Sequence, residues 1–115
     1  MRVLVIGAGE VGARVLRQLQ KNTRLEIFTV DPRKNPPAVQ EGVVESVDFL
    51  QSLTSRSLQS VIDEVQPDLV LVTTAAEDLG FGRAPGIEVL VESLRDELAS
   101  ASKVPVIAVS RLITR

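Results

Sequence analysis

The run Val3-Leu4-Val5-Ile6 passes directly into Gly7-Ala8-Gly9-Glu10-Val11-Gly12, and this junction limits the possible folds more than any other feature of the chain. A short, continuously apolar and mostly β-branched run ending in glycine suits a strand buried on both faces. Val11, Val15, Leu16 and Leu19 then recur at helical spacing, with Arg14, Arg17 and Lys21 on another side, and Asn22 can stop the helix. Strand, glycine loop and helix in that order form a cradle for an anion. Gly7 makes the tight turn, Gly9 has no Cβ to block a diphosphate, and Gly12 lets the helix pack closely on the sheet. The backbone N–H groups of this loop, with Ala8, Glu10 and Val11 between the glycines, then meet the anion together with the positive end of the helix dipole.

Asp31 lies nineteen residues after Gly12, at the end of an expected second strand from Leu25 to Val30. A carboxylate there accepts both ribose hydroxyls of an adenosine and repels a 2′-phosphate, so NAD or NADH is the favoured ligand. The signature reads adenosine and phosphates, not nicotinamide, which leaves AMP, ADP and ATP open. Arg33 and Lys34, just past Asp31-Pro32, either neutralise a 2′-phosphate and admit NADP or belong to a solvated loop. Ligands of such sheets sit at C-terminal strand ends near the switch in strand order, which places Thr73 and Thr74 near the distal half of the cofactor. Asp48 and Phe49, after a third strand, fall where an adenine ring would sit; the alternatives are a helix cap and a core position. Pro32 and Arg33 complete the candidate cofactor-binding set. No residue is assigned a catalytic or metal-binding role.

The rest of the chain alternates in the same way. Arg33 to Gly42, with Pro36-Pro37, reads as a loop, because proline cannot feed a central ladder. Val43 and Val44 open the expected third strand, and Asp48 to Leu53 reads as a brief helix. Thr54 or Ser55 is the N-cap of the next helix, whose stripe is Leu58, Val61, Ile62 and Val65, and Pro67 ends it. Leu69 to Val72 is a fourth buried strand. The long loop from Thr74 to Gly86 carries Glu77, Asp78, Gly80, Phe81, Gly82, Arg83 and Pro85. It reads either as a mobile flap over the ligand or a docking surface, or as a disordered surface loop, and its two acids are the conceivable general bases. Ile87, Leu90, Val91, Leu94 and Leu98 mark a further helix, and Val104 to Val109 a fifth strand. The alternation predicts one α/β domain over residues 1–115. Its expected form is a doubly wound parallel sheet, strand order 3-2-1-4-5, with helices on both faces.

Composition removes whole classes of chemistry. There is no Cys, His or Tyr, hence no thiolate nucleophile, no sulfur ligand and no imidazole base. Hydride transfer that needs a Tyr–Lys pair or a His cannot be done by this chain alone, and no catalytic activity of its own is expected. A net charge of −2 argues against nucleic acid as a partner. No apolar run is long enough to span a bilayer, so the chain reads as soluble and cytoplasmic, without direct membrane insertion. Residues 1–40 carry seven bases and three acids while residues 41–115 carry six and twelve, a polarity that can favour self-association.

Val3 to Gly12 and Phe28-Thr29-Val30-Asp31 resemble the ligand-binding Rossmann domains of the RCK (TrkA-N) family, which regulate potassium channels and transporters. Pro67-Asp68-Leu69-Val70-Leu71-Val72-Thr73-Thr74, with Glu77-Asp78 behind it, is a weaker echo. The resemblance implies NAD(H) or adenine-nucleotide binding, a homodimer, a membrane transporter as partner, and a sensor role in which ligand state passes to that partner. On it Gly7, Gly9 and Gly12 match the phosphate loop and Asp31 the ribose acid. Asp48 matches an acid after strand three, with Ser46-Val47 standing where the family usually has a glycine before it. The same features are similar to the cofactor halves of saccharopine and related dehydrogenases, which implies the cofactor-binding part of an NAD-dependent enzyme instead. A likeness of Leu58–Ala75 to sugar-nucleotide epimerases is opposed by the lack of Tyr and by the loop spacing.

Overall fold

The computed structural model describes residues 1–74 and 87–109. Along the chain the elements are β1 (Arg2–Ile6), α1 (Glu10–Leu19), β2 (Glu26–Asp31), α2 (Pro37–Gln40), β3 (Phe49–Leu50), α3 (Ser55–Val65), β4 (Leu69–Val72), α4 (Ile87–Ala101) and β5 (Val106–Ala108). Val3 through Ile6 of β1 are at most 1% exposed, and successive side chains enter two different cores. Leu4 and Ile6 point to one layer, Val3 and Val5 to the other, as the period-2 geometry of a strand requires. Strand β4 divides likewise, Val70 and Val72 against Leu69 and Leu71. An unbroken apolar run is what a strand covered on both sides needs.

Helix α1 covers one face with Val11, Val15 and Leu16, while α3 and α4 cover the other with Leu58, Val61, Ile62, Val65 and Leu98. Burying each such side chain contributes about 1.5–3 kcal/mol relative to leaving it in water. The strands form a parallel sheet in the order β3-β2-β1-β4-β5. This is the doubly wound α/β architecture that the alternation of elements requires. Ile6 pairs with Val30 of β2 and with Val72 of β4, so three strands end side by side at Gly7, Asp31 and Thr73.

The stretch between β2 and α3 departs from the sequence reading. Arg33 to Gly42 is not all loop, because Pro37–Gln40 forms the one-turn helix α2. A proline's missing N–H is no loss in a first turn, and the Val39 and Gln40 N–H groups donate to Pro36 O at 2.9 and 3.0 Å. Val43 and Val44 are not in a strand: their N–H groups donate to Ala38 O at 2.9 and 3.3 Å and close the turn after α2. The third strand falls at Phe49–Leu50, inside the stretch that reads as a helix, with Phe49 opposite Val30 and Leu50 opposite Asp31. Two residues carry no periodicity, so pairing with β2 and not local pattern decides their conformation.

Elsewhere the local signals hold. Thr54 caps α3, its Oγ1 accepting the Ser57 N–H at 3.3 Å. Gln66 closes that helix at φ 50, before a proline that disfavours helical backbone in the residue preceding it. Strand β5 is shorter than Val104 to Val109. The flap reading of the loop from Thr74 to Gly86, with Glu77 and Asp78, falls beyond Thr74 on residues outside those described. Among the described residues no helix is long and apolar enough to cross a membrane.

Candidate functional site

Gly7 leaves β1 at φ +98, where only glycine is at ease, and its N–H donates to Val30 O at 2.8 Å. A Cβ on Gly7 would lie 2.9 Å from Thr74 Oγ1 and 3.0 Å from Thr74 N. Gly9 is the N-cap of α1 and has no side chain with which to cap it. The N-cap residue therefore offers the first-turn amides no side-chain acceptor. Gly12 returns against the loop, where a Cβ would stand 2.2 Å from Gly7 O and 3.0 Å from Thr73 Oγ1. Val11 and Gly12 are buried at this contact, while Glu10 is exposed. The Glu10 carboxylate in the first turn complements the helix dipole and opposes an anion placed nearby.

Thr73 and Thr74 brace this loop from behind. The Thr73 hydroxyl donates to Gly7 O at 2.7 Å, with Ile6 O at 3.0 Å, and the Thr74 hydroxyl donates to Ile6 O at 3.3 Å. Both residues are buried, and these hydroxyls are turned toward the backbone of the loop. Thr73→Val keeps the shape and removes the donor. It is expected to cost about 1–2 kcal/mol, read as a lower urea midpoint with unchanged slope; an unchanged midpoint would show that the brace does nothing.

Asp31 ends β2 with no exposed surface. Its Oδ2 accepts the Ala8 N–H at 2.8 Å and Arg33 Nη2 at 2.9 Å; its Oδ1 accepts the Arg33 backbone N–H and Nε, both at 2.9 Å. A carboxylate offers roughly four acceptor positions, and these bonds fill them. Burial alone would raise its pKa. The Arg33 side-chain bonds, the Ala8 and Arg33 N–H groups and the guanidinium charge outweigh that and hold the carboxyl below the ordinary 3.8. Pro32 is exposed between the partners, and the Arg33 side chain is 36% exposed. The acid thus stands beside the glycine loop, as its spacing requires, but its own chain engages it.

Asp48 and Phe49 are placed differently from the sequence reading: Asp48 immediately precedes β3 and Phe49 lies within it. Asp48 Oδ2 accepts the Thr29 N–H at 2.8 Å and the Thr29 hydroxyl at 3.1 Å, which ties the start of β3 to β2. No helix begins there for it to cap. Phe49 is half-buried against the core under α3 and α4. Sequence reasoning missed Ala38, which is fully buried and donates its N–H to Ala8 O at 3.0 Å, so that α2 closes on the glycine loop. The small residue directly after Pro36-Pro37 was the available signal. Among the described residues no three acids gather to hold a metal ion.

A parallel sheet whose central strand opens into this loop defines an α/β domain of the Rossmann type. Residues 3–85 match the NAD dependent epimerase/dehydratase family, and the chain belongs to that family. The family matched is this one, and not the RCK type that residues 3–12 and 28–31 resemble. The missing tyrosine and the loop spacing, which oppose it in the sequence, do not prevent the match. Among curated proteins the chain is similar to formate-dependent phosphoribosylglycinamide formyltransferases. It is 33% identical to that of Methanococcus vannielii over 61% of this chain and 17% of the relative. It is 29% identical to that of Polaromonas naphthalenivorans over 96% of this chain and 23% of the relative. The chain therefore spans about a fifth of the length of these relatives.

Among solved structures it superposes on dTDP-glucose 4,6-dehydratase from Bacillus anthracis in complex with NAD, with a TM-score of 0.63 and 20% identity over 94% of this chain and 36% of that one. It also superposes on glycinamide-RNase-transformylase T from Mycobacterium tuberculosis, with a TM-score of 0.60 and 20% identity over 93% of this chain and 28% of that one.

Proposed function

We propose that the chain binds NAD or NADH at the Gly7–Gly12 loop as one unit over residues 1–115, and that it supplies binding and not chemistry. The observation that carries this is the start of α1, where a glycine N-cap offers the first-turn amides no side-chain acceptor, beside the buried Asp31. The amides of Gly9 to Gly12 would take the diphosphate and Asp31 the adenosine ribose, with Pro32 and Arg33 at its edge. Asp48 and Phe49, tied to β2, would wall the adenine side. Family membership supports the form in which the domain is the cofactor-binding part of a larger NAD-dependent enzyme. The sensor form, a cytoplasmic homodimer signalling to a potassium transporter, rests on the resemblance of residues 3–12 and 28–31 alone.

A second reading is favoured by the filled acceptor positions of Asp31. The curated relatives are named for a phosphoribosyl substrate. A ligand with a single phosphate could use the α1 amides without asking Asp31 for a ribose contact.

A thermal-shift panel of NAD, NADH, NADP, AMP, ADP, ATP and ribose 5-phosphate separates the readings. NAD or NADH is expected to give the largest shift, with about 2.7 kcal/mol of added stability at 100 times its Kd. A shift with ribose 5-phosphate and none with any dinucleotide would overturn the proposal in favour of the second reading.

A further inference from the structure

We propose that Arg33 is a latch on the ribose position, so that it sets both the affinity and the selectivity of the loop for its ligand. The inference rests on the NAD reading above. The guanidinium holds the carboxylate with a two-pronged fork, Nε to Oδ1 and Nη2 to Oδ2, both at 2.9 Å. These are the two oxygens that a ribose diol must reach, and a fully buried carboxylate with four bonds has no position left for it. Dinucleotide binding therefore requires an exchange, in which the fork leaves and two hydroxyls take its place.

The local backbone confines that exchange to the side chain. The Arg33 N–H stays on Oδ1 and the Ala8 N–H on Oδ2, so the turn through Pro32 and the loop keep their shape when the guanidinium swings out. Being 36% exposed, the guanidinium can rehydrate as it leaves. Selectivity follows from the count of donors. A ribose with both hydroxyls replaces both prongs, whereas a ribose lacking one leaves an oxygen short of a partner.

Lysine keeps the charge that attracts a diphosphate but cannot form the fork. Arg33→Lys is therefore expected to bind NAD on the order of 10-fold more tightly than the natural protein, by titration calorimetry. Arg33→Ala is expected to gain as well, by less, since it also loses the attraction. In the natural protein, the Arg33 Nε–H resonance should exchange slowly without ligand and become fast on saturation with NAD, which a purely structural ion pair would not show. Tighter binding by the variants, or binding by the variants alone, supports the latch. If the natural protein binds NAD and both variants bind it equally or more weakly, the latch is wrong and the NAD reading stands. If none of the three binds NAD, both fall.

Discussion

Gly12→Ala is expected to destabilise the fold by about 3 kcal/mol, near the upper end of what overpacking a buried contact costs. The added Cβ would stand 2.2 Å from Gly7 O and 2.9 Å from Gly7 C. Neither is the mobile end of a side chain, and both belong to a loop held by Thr73 and by Val30 O. The only relief is for α1 to lift off the loop, which opens the core around Val11, Val15 and Leu16. At about 4 °C per kcal/mol for a chain of this size, the melting temperature should fall by roughly 12 °C. Gly42→Ala isolates the other cost a glycine can carry. Gly42 has a positive φ of 74, which the helical Gly12 does not, and nothing lies within 4 Å of its Cβ position. Backbone strain alone should then cost about 1 kcal/mol. Equal losses at the two glycines would show that the loop can yield and that its close packing is not what requires Gly12.

Asp31→Ala is the second large effect, again about 3 kcal/mol. It leaves the buried Ala8 N–H without its acceptor and removes the carboxylate partner of the Arg33 fork. Breaking a buried pair typically costs about 3–5 kcal/mol, and the lower end applies because the Arg33 side chain is 36% exposed and water recovers part of its charge. The same substitution should abolish preference for a ribose with both hydroxyls.

The acid also sets a pH dependence. Folding holds the Asp31 carboxyl below its ordinary 3.8, so the unfolded chain binds the proton more tightly. Its contribution is whole above pH 3.8 and disappears as pH falls through the lower folded value. Urea midpoints of the natural protein and of Asp31→Asn should therefore differ at pH 6 and converge toward pH 2. A gap that stays constant with pH would mean that the charge contributes nothing.

The sheet was legible because β1 and β4 carry uninterrupted apolar runs between turn residues, and because a helical stripe at Leu58, Val61, Ile62 and Val65 precedes the second of them. Asp31 was legible by spacing alone. What was not legible depends on partners distant in sequence. The hydroxyls of Thr73 and Thr74 find Ile6 and Gly7 more than sixty residues away, and no local pattern reveals which distant carbonyl a hydroxyl will reach. The valines at 43 and 44 have strand propensity, yet the carbonyl of Ala38 captures their N–H groups. Arg33 is two residues from Asp31, and the sequence offered it a 2′-phosphate or solvent. The carboxylate itself is the partner that the structure adds. Family membership was obscured for a related reason: the eye goes to a missing catalytic tyrosine, whereas the match extends over the strand–loop–helix frame.

The central claim is that the amides opening α1 receive the phosphates of a dinucleotide, and backbone NMR during a titration with NAD tests it most directly. The largest shifts are expected at Gly9, Glu10, Val11 and Gly12, with smaller ones at Ala8 and Arg33. Shifts confined to the opposite end of the sheet, in the crevice between Gln59, Gln66 and Lys103, would contradict it.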